Sequence, residues 1–107
     1  MFSKKNAHIS VIVSDDSGQF SDQKPIPILV EDIHLSYPFV FPYLGEYYML
    51  TESSESRELT LYRAESFPLQ WKKFKTLISD MMIYDPTIYQ HSDGIWNLFC
   101  TAKQKNV

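Results

Sequence analysis

Apolar and polar residues alternate in short runs along this chain, and turn residues close each run, a pattern that predicts strands. The first run, His8–Val13, ends in the polar turn Ser14-Asp15-Asp16-Ser17-Gly18. Ile26–Val30 follows Pro25 and contains Pro27; proline donates nothing to a ladder, so this strand is expected at a sheet edge. Pro38–Tyr43 and Glu46–Thr51 read as a hairpin turning at Leu44-Gly45. After the polar stretch Glu52–Ser56 come Glu58–Arg63 and Trp71–Ile78. Lys73 and Lys75 on the latter suit a charge-protected edge. A last hairpin, Thr87–Gln90 and Ile95–Thr101, turns at Ser92-Asp93-Gly94, where glycine supplies a positive φ. The pattern thus predicts about eight strands, with a tail fraying from Lys103. The helical rival, Leu77–Met82, is too short to stand alone.

These strands repeat. Tyr37-Pro38-Phe39-Val40-Phe41 and Gly45-Glu46-Tyr47-Tyr48-Met49-Leu50 reappear as Asp85-Pro86-Thr87-Ile88-Tyr89 and Gly94-Ile95-Trp96-Asn97-Leu98-Phe99, 48 residues on at the proline and 49 at the glycine. His8–Val13 likewise stands 50 residues before Glu58–Arg63. A period of roughly 40–50 residues built from short strands marks propeller blades. With blade strands lettered A to D from the inside out, the chain reads C, D, then A, B, C, D, then A, B. The expected fold is therefore all-β, a single partial propeller domain over 1–107. It has a half-blade at 8–30, a full blade at 37–78 and a half-blade at 85–101. Half-blades leave open edges, which proteins pair or cover. Copies exchanging halves, a longer polypeptide, or halves curled onto the central sheet as a small sandwich would each meet that need.

Hydrophobic content of 44% and aromatic content of 15% support a folded β-rich domain over a disordered chain. Net charge is −3 with lysines and arginines scattered, so nothing resembles the basic stripe that nucleic acid requires. Cys100 is alone, which rules out an intrachain disulfide and fits a reducing compartment. Without a secretory pattern or an apolar run long enough to span a bilayer, the expectation is a cytoplasmic chain with no membrane partner.

The runs His34–Phe41, Gly45–Met49, Leu61-Tyr62-Arg63-Ala64, Phe67-Pro68, Trp71 and Asp85-Pro86-Thr87 resemble one propeller family in particular. It is the five-bladed β-propeller domain found N-terminally in plant glucosamine inositolphosphorylceramide transferases and in related bacterial proteins. That domain is in turn similar to family 43 glycoside hydrolases. The resemblance spans residues 8 to 102, about two of the five blades. It implies a site built from carboxylates at the inner ends of A strands, in which inverting hydrolysis pairs a base with an acid. Asp85 matches one such position. The equivalent one blade earlier is Tyr37, which is no base, and the general-acid glutamate finds no counterpart in the chain.

Asp85 is thus the candidate catalytic residue, against a reading in which Asp before Pro merely initiates a turn. His34, Tyr37 and Glu52 are candidate substrate-binding residues at the same rim, against a loop histidine, a packed tyrosine and a solvated strand end. Tyr47, Tyr48, Tyr89 and Trp96 offer either a sugar-stacking platform or blade-to-blade packing. Adjacent Tyr47 and Tyr48 point to opposite faces, so at least one belongs to the core. The run from Ser14 to Phe20 partly matches an Asp-box turn but lacks the alternating carboxylates of a calcium loop. His8, His34 and His91 lack ligand spacing. No metal and no cofactor are expected. Cys100 is expected to be a small buried hydrophobe. The preferred function is a carbohydrate-recognising or carbohydrate-processing propeller that is non-catalytic on its own. The alternatives are an assembly module completed by another chain, such as a homo-oligomer, and a glycoside hydrolase with its site at a subunit interface.

Overall fold

Leucine, tyrosine and β-branched residues in short runs leave the backbone little but strand to form, and a computed structural model describing residues 6–104 has eight antiparallel strands in three sheets. β1 (Ile9–Val11) pairs with β2 (Ile26–Leu29). β3 (Ser36–Tyr43), β4 (Glu46–Glu52), β5 (Glu58–Ser66) and β6 (Gln70–Ser79) form a four-stranded meander. β7 (Met81–Gln90) pairs with β8 (Trp96–Gln104). No α-helix occurs among the described residues; a 3₁₀ turn at Ser54–Ser56 joins β4 to β5.

The all-β class and the eight strands agree with the reading of the sequence, and the boundaries move. β1 ends at Val11, so Ile12 and Val13 lie outside it and are exposed. β8 continues through Gln104, which pairs with Met81, so Lys103 lies in a ladder and does not fray; residues 105–107 of that predicted tail lie outside the described residues. β7 starts six residues before Thr87, so Asp85 and Pro86 sit within a strand and not at its mouth. Leu77–Met82 is the end of β6 and the start of β7, hinged at Asp80 with φ 59°.

The inner strands of the central sheet, β4 and β5, place side chains in cores on both of its faces. Successive residues of a strand point to opposite faces. Met49 packs with Ile9, Leu29, Leu35 and Tyr62, on the side of β1–β2. Its neighbour Leu50 packs with Leu59 and Ile83, on the side of β7–β8. Each of these fully buried side chains contributes roughly 1.5–3 kcal/mol relative to exposure. β6 is an outer strand of this sheet, and its Lys72 and Lys73 pair with Glu65 and Glu31 at 3.4 and 3.6 Å. Those charges discourage further pairing at that edge. The radius of gyration, 15.1 Å, exceeds the about 13 Å of a compact chain of this size, as expected for sheets laid side by side with open outer faces.

A polar clasp couples the second and third sheets. Arg57 and Asp80, both with positive φ, stand at the β4–β5 and β6–β7 connections. The Arg57 guanidinium lies 3.6 Å from the Asp80 carboxylate, and the Met81 amide donates to the Arg57 carbonyl at 3.1 Å.

Candidate functional site

Both proline dipeptides of the repeat fold into the same backbone device. On β3, Ser36 faces Glu52 and Phe39 faces Leu50. On β7, Tyr84 faces Thr101 and Thr87 faces Phe99. Each interval holds one residue more than its partner strand, which is a β-bulge. Proline, lacking an N–H, is tolerated where a ladder bond is already missing. The residue ahead of each proline is left-handed, Tyr37 with φ 53° and Asp85 with φ 51°. For a side chain with a Cβ that conformation costs about 1–2 kcal/mol. The bulges re-aim Tyr37 and Asp85, both of which are exposed.

Glu52, at the end of β4, joins the two devices. Its Oε1 accepts the Asp85 backbone N–H at 2.9 Å, and its Oε2 accepts the Ser36 hydroxyl at 3.4 Å. Glu52 is therefore half-buried and engaged, where a solvated strand end was the simpler reading. Pro86 is fully buried and pins the bulge from the other side. The Asp85 carboxylate itself accepts no hydrogen bond among the described residues and faces solvent. Ser36, absent from the sequence-based set, belongs to this constellation; a serine ahead of Tyr-Pro carries no signal that would have marked it.

His34 is placed otherwise. Its Nδ1 accepts the Ala7 amide at 3.3 Å, while Leu35 donates to the Ala7 carbonyl at 3.0 Å. The imidazole thus ties the start of the described chain to the segment before β3. No hydrogen bond connects it with Tyr37, Glu52 or Asp85 among the described residues.

The aromatic candidates divide. Tyr48 is half-buried, with its ring 5.7 Å from Phe41 and 5.7 Å from Phe74. Trp96 packs edge-on against Tyr43 at 5.1 Å. Tyr47 stacks on Phe67 at 4.0 Å on the opposite face, and Tyr89 is exposed. Phe41, Tyr48, Phe74, Ile88 and Trp96 wall a cleft of about 440 Å³ between the central sheet and the β7–β8 hairpin. The cleft is apolar, with Lys75 on its wall.

Cys100, expected to be buried, is exposed; among the described residues its strand β8 pairs with β7 alone, and the position that is core in β4 is open here. Among the described residues no cluster of metal-ligating side chains forms, and no helix is long and apolar enough to cross a membrane. The Ser14–Phe20 run closes on itself. Asp15 Oδ1 accepts the amides of Ser17 and Gln19 and the Ser17 hydroxyl at 2.9–3.0 Å. The Gln19 amide, then the Ser17 hydroxyl, lower the Asp15 pKa. This is Asx-turn chemistry.

With that geometry in hand, the family described as glucosamine inositolphosphorylceramide transferase 1, N-terminal, matches residues 2–107. The chain is similar to glucosamine inositolphosphorylceramide transferase 1 of Oryza sativa subsp. japonica, 49% identical over 73 residues, covering 68% of this chain and 10% of the relative. It is similar to the Arabidopsis thaliana protein of that name, 45% identical over 74 residues, with the same 68% and 10% coverage. The chain therefore spans about a tenth of the length of these curated relatives. No solved structure matches it significantly.

Proposed function

Since the chain belongs to the family of the N-terminal part of glucosamine inositolphosphorylceramide transferase 1, we propose that it is a carbohydrate-recognising section of a β-propeller that binds a sugar and does not catalyse by itself. The observation carrying this reading is the Asp85 carboxylate, exposed and without a hydrogen-bond partner among the described residues, held on a left-handed bulge by the Glu52 bond to its amide. Strained backbone that the surroundings over-determine gathers at functional sites. An exposed carboxylate accepts sugar hydroxyls and attracts an amine. Glucosamine, the sugar in the relatives' name, carries both. Tyr37, on the twin bulge, adds a phenol at the neighbouring blade in this reading. The strand repeat and the division into sheets of two, four and two strands support the propeller assignment, with blade portions at 8–30, 37–78 and 85–101.

Glycosidic hydrolysis requires two working carboxyl groups. Glu52 bonds the Asp85 amide and the Ser36 hydroxyl, which supports a positioning role for it beside Asp85, and recognition without turnover is the reading we take. Titration calorimetry with glucosamine, and with glucose as its amine-free counterpart, tests it. Asparagine tolerates the left-handed region, so Asp85→Asn removes the charge and keeps the bulge. The expected outcome is glucosamine binding that Asp85→Asn weakens about tenfold or more, the scale of a hydrogen bond to a charged group. Absence of binding, or an unchanged affinity in the variant, defeats the proposal. Turnover of aryl glycosides that Asp85→Asn abolishes replaces it with the hydrolase.

A further inference from the structure

The two bulges share a backbone design and differ in what stands at their mouths. At the mouth of the β3 bulge Ser36 faces Glu52, and at the mouth of the β7 bulge Tyr84 faces Thr101. These are equivalent repeat positions, 48 residues apart on the first strand of each pair and 49 on the second. The β7 bulge closes with a short, neutral threonine there, so a carboxylate is not what such a bulge needs. Glu52 instead reaches out of its own sheet. Its Oε1 accepts the Asp85 amide at 2.9 Å, 33 residues on in the chain, while the Ser36 hydroxyl donates to its Oε2 at 3.4 Å.

We infer that Glu52 is the positioning residue of the Asp85 site: from the central sheet it fixes the direction in which the third sheet presents the Asp85 carboxylate. The neighbours of Asp85 explain why one bond suffices. Ile83 and Pro86 are buried, so β7 is anchored on either side of Asp85. Asp85 lies in the irregular interval between the Tyr84 and Thr87 pairs, where a bulge interrupts the ladder, and its amide goes to Glu52 instead. A left-handed residue with a Cβ persists where its surroundings over-determine it. Hydrogen bonds to an ionised carboxylate are the stronger class, and this one holds the amide of the very residue whose φ is strained.

Ser36 adjoins Tyr37 in the chain, so a single carboxylate is bonded to both bulge segments and sets one against the other across the seam between two sheets. Asp85 is thereby held for a ligand only while β7–β8 is docked on the central sheet. Glu52 does this without touching the ligand. The effect on binding rests on the reading of Asp85 as a sugar-recognising group; the positioning itself rests on the geometry alone.

Amide hydrogen exchange followed residue by residue by NMR tests the positioning directly. The Asp85 amide is expected to be protected in the native chain and in Glu52→Gln, which keeps an acceptor oxygen. In Glu52→Ala it should exchange about tenfold faster or more, the scale of a hydrogen bond to a charged group, with the Ile83 amide unchanged. Unchanged Asp85 exchange in Glu52→Ala, or equal acceleration along the whole of β7, overturns the inference. Calorimetry with glucosamine carries the test to the ligand. Glu52→Ala should weaken binding about tenfold in the native chain and add little to Asp85→Asn, since both changes then act through one group. Fully additive losses overturn the inference, because Glu52 would be acting elsewhere. A native chain that binds no glucosamine ends the sugar reading, and the exchange experiment still decides whether Glu52 holds Asp85.

Discussion

Burial pushes the Tyr62 phenol up to about 12, and the nearby Glu31 carboxylate adds to the shift. The Thr51 hydroxyl works weakly the other way, without making a hydrogen bond of good geometry. Tyrosine in an unfolded chain ionises near 10. Between those values the unfolded chain releases a proton that the folded chain keeps. Stability is therefore whole below about pH 10 and falls as pH rises towards 12. Melting temperature should decline across that window, and Tyr62→Phe should flatten the decline; parallel curves for the two proteins would place the cause elsewhere. At this same scale the kinship of Asp85-Pro86 with Tyr37-Pro38 was legible, because the two dipeptides stand at the repeat distance, and both fold as bulges with a left-handed first residue. The role of Glu52 was not. Its partner amide lies 33 residues away, and a carboxylate at a strand end looks alike whether it meets water or a backbone N–H.

Within the elements, the tightest constraint is the β3–β4 turn. Tyr43 faces Glu46, so two residues make the loop. Both are left-handed, Leu44 with φ 49° and Gly45 with φ 82°. That is a type I′ turn, which favours Asn-Gly. Leu44 is 83% exposed, so its side chain contributes little packing in exchange for the strain. Leu44→Asn should stabilise the fold by about 1 kcal/mol, read as a melting temperature a few degrees higher; a lower one would mean that Leu44 is covered in solution. The turns and strand cores were readable because glycine and alternation are local signals. The start of β7 was misplaced for the converse reason. A proline reads as a strand boundary, but the bulge absorbs Pro86 and lets the ladder resume from Tyr84 back to Met81.

At the scale of the whole molecule, Ile83 is the main apolar tie between the β7–β8 hairpin and the central sheet, packed with Leu50 and Leu59 beside the Arg57–Asp80 clasp. Ile83→Ala should cost about 2–5 kcal/mol. It should also loosen β7–β8 more than β1–β2, because the Glu52 bond to the Asp85 amide spans that interface; hydrogen exchange by segment would show this, and uniform loss of protection would contradict it. Alternation, turn glycines and the repeat are local or periodic properties, and by themselves they determined the all-β class, the eight strands and their hairpin order. Tertiary structure alone decided that Glu52 reaches the Asp85 amide, that the His34 imidazole accepts the Ala7 amide, and that Cys100 is exposed. Those outcomes depend on how separate sheets sit against one another. That placement is set by the joint burial of Leu50, Leu59 and Ile83, which no local pattern encodes.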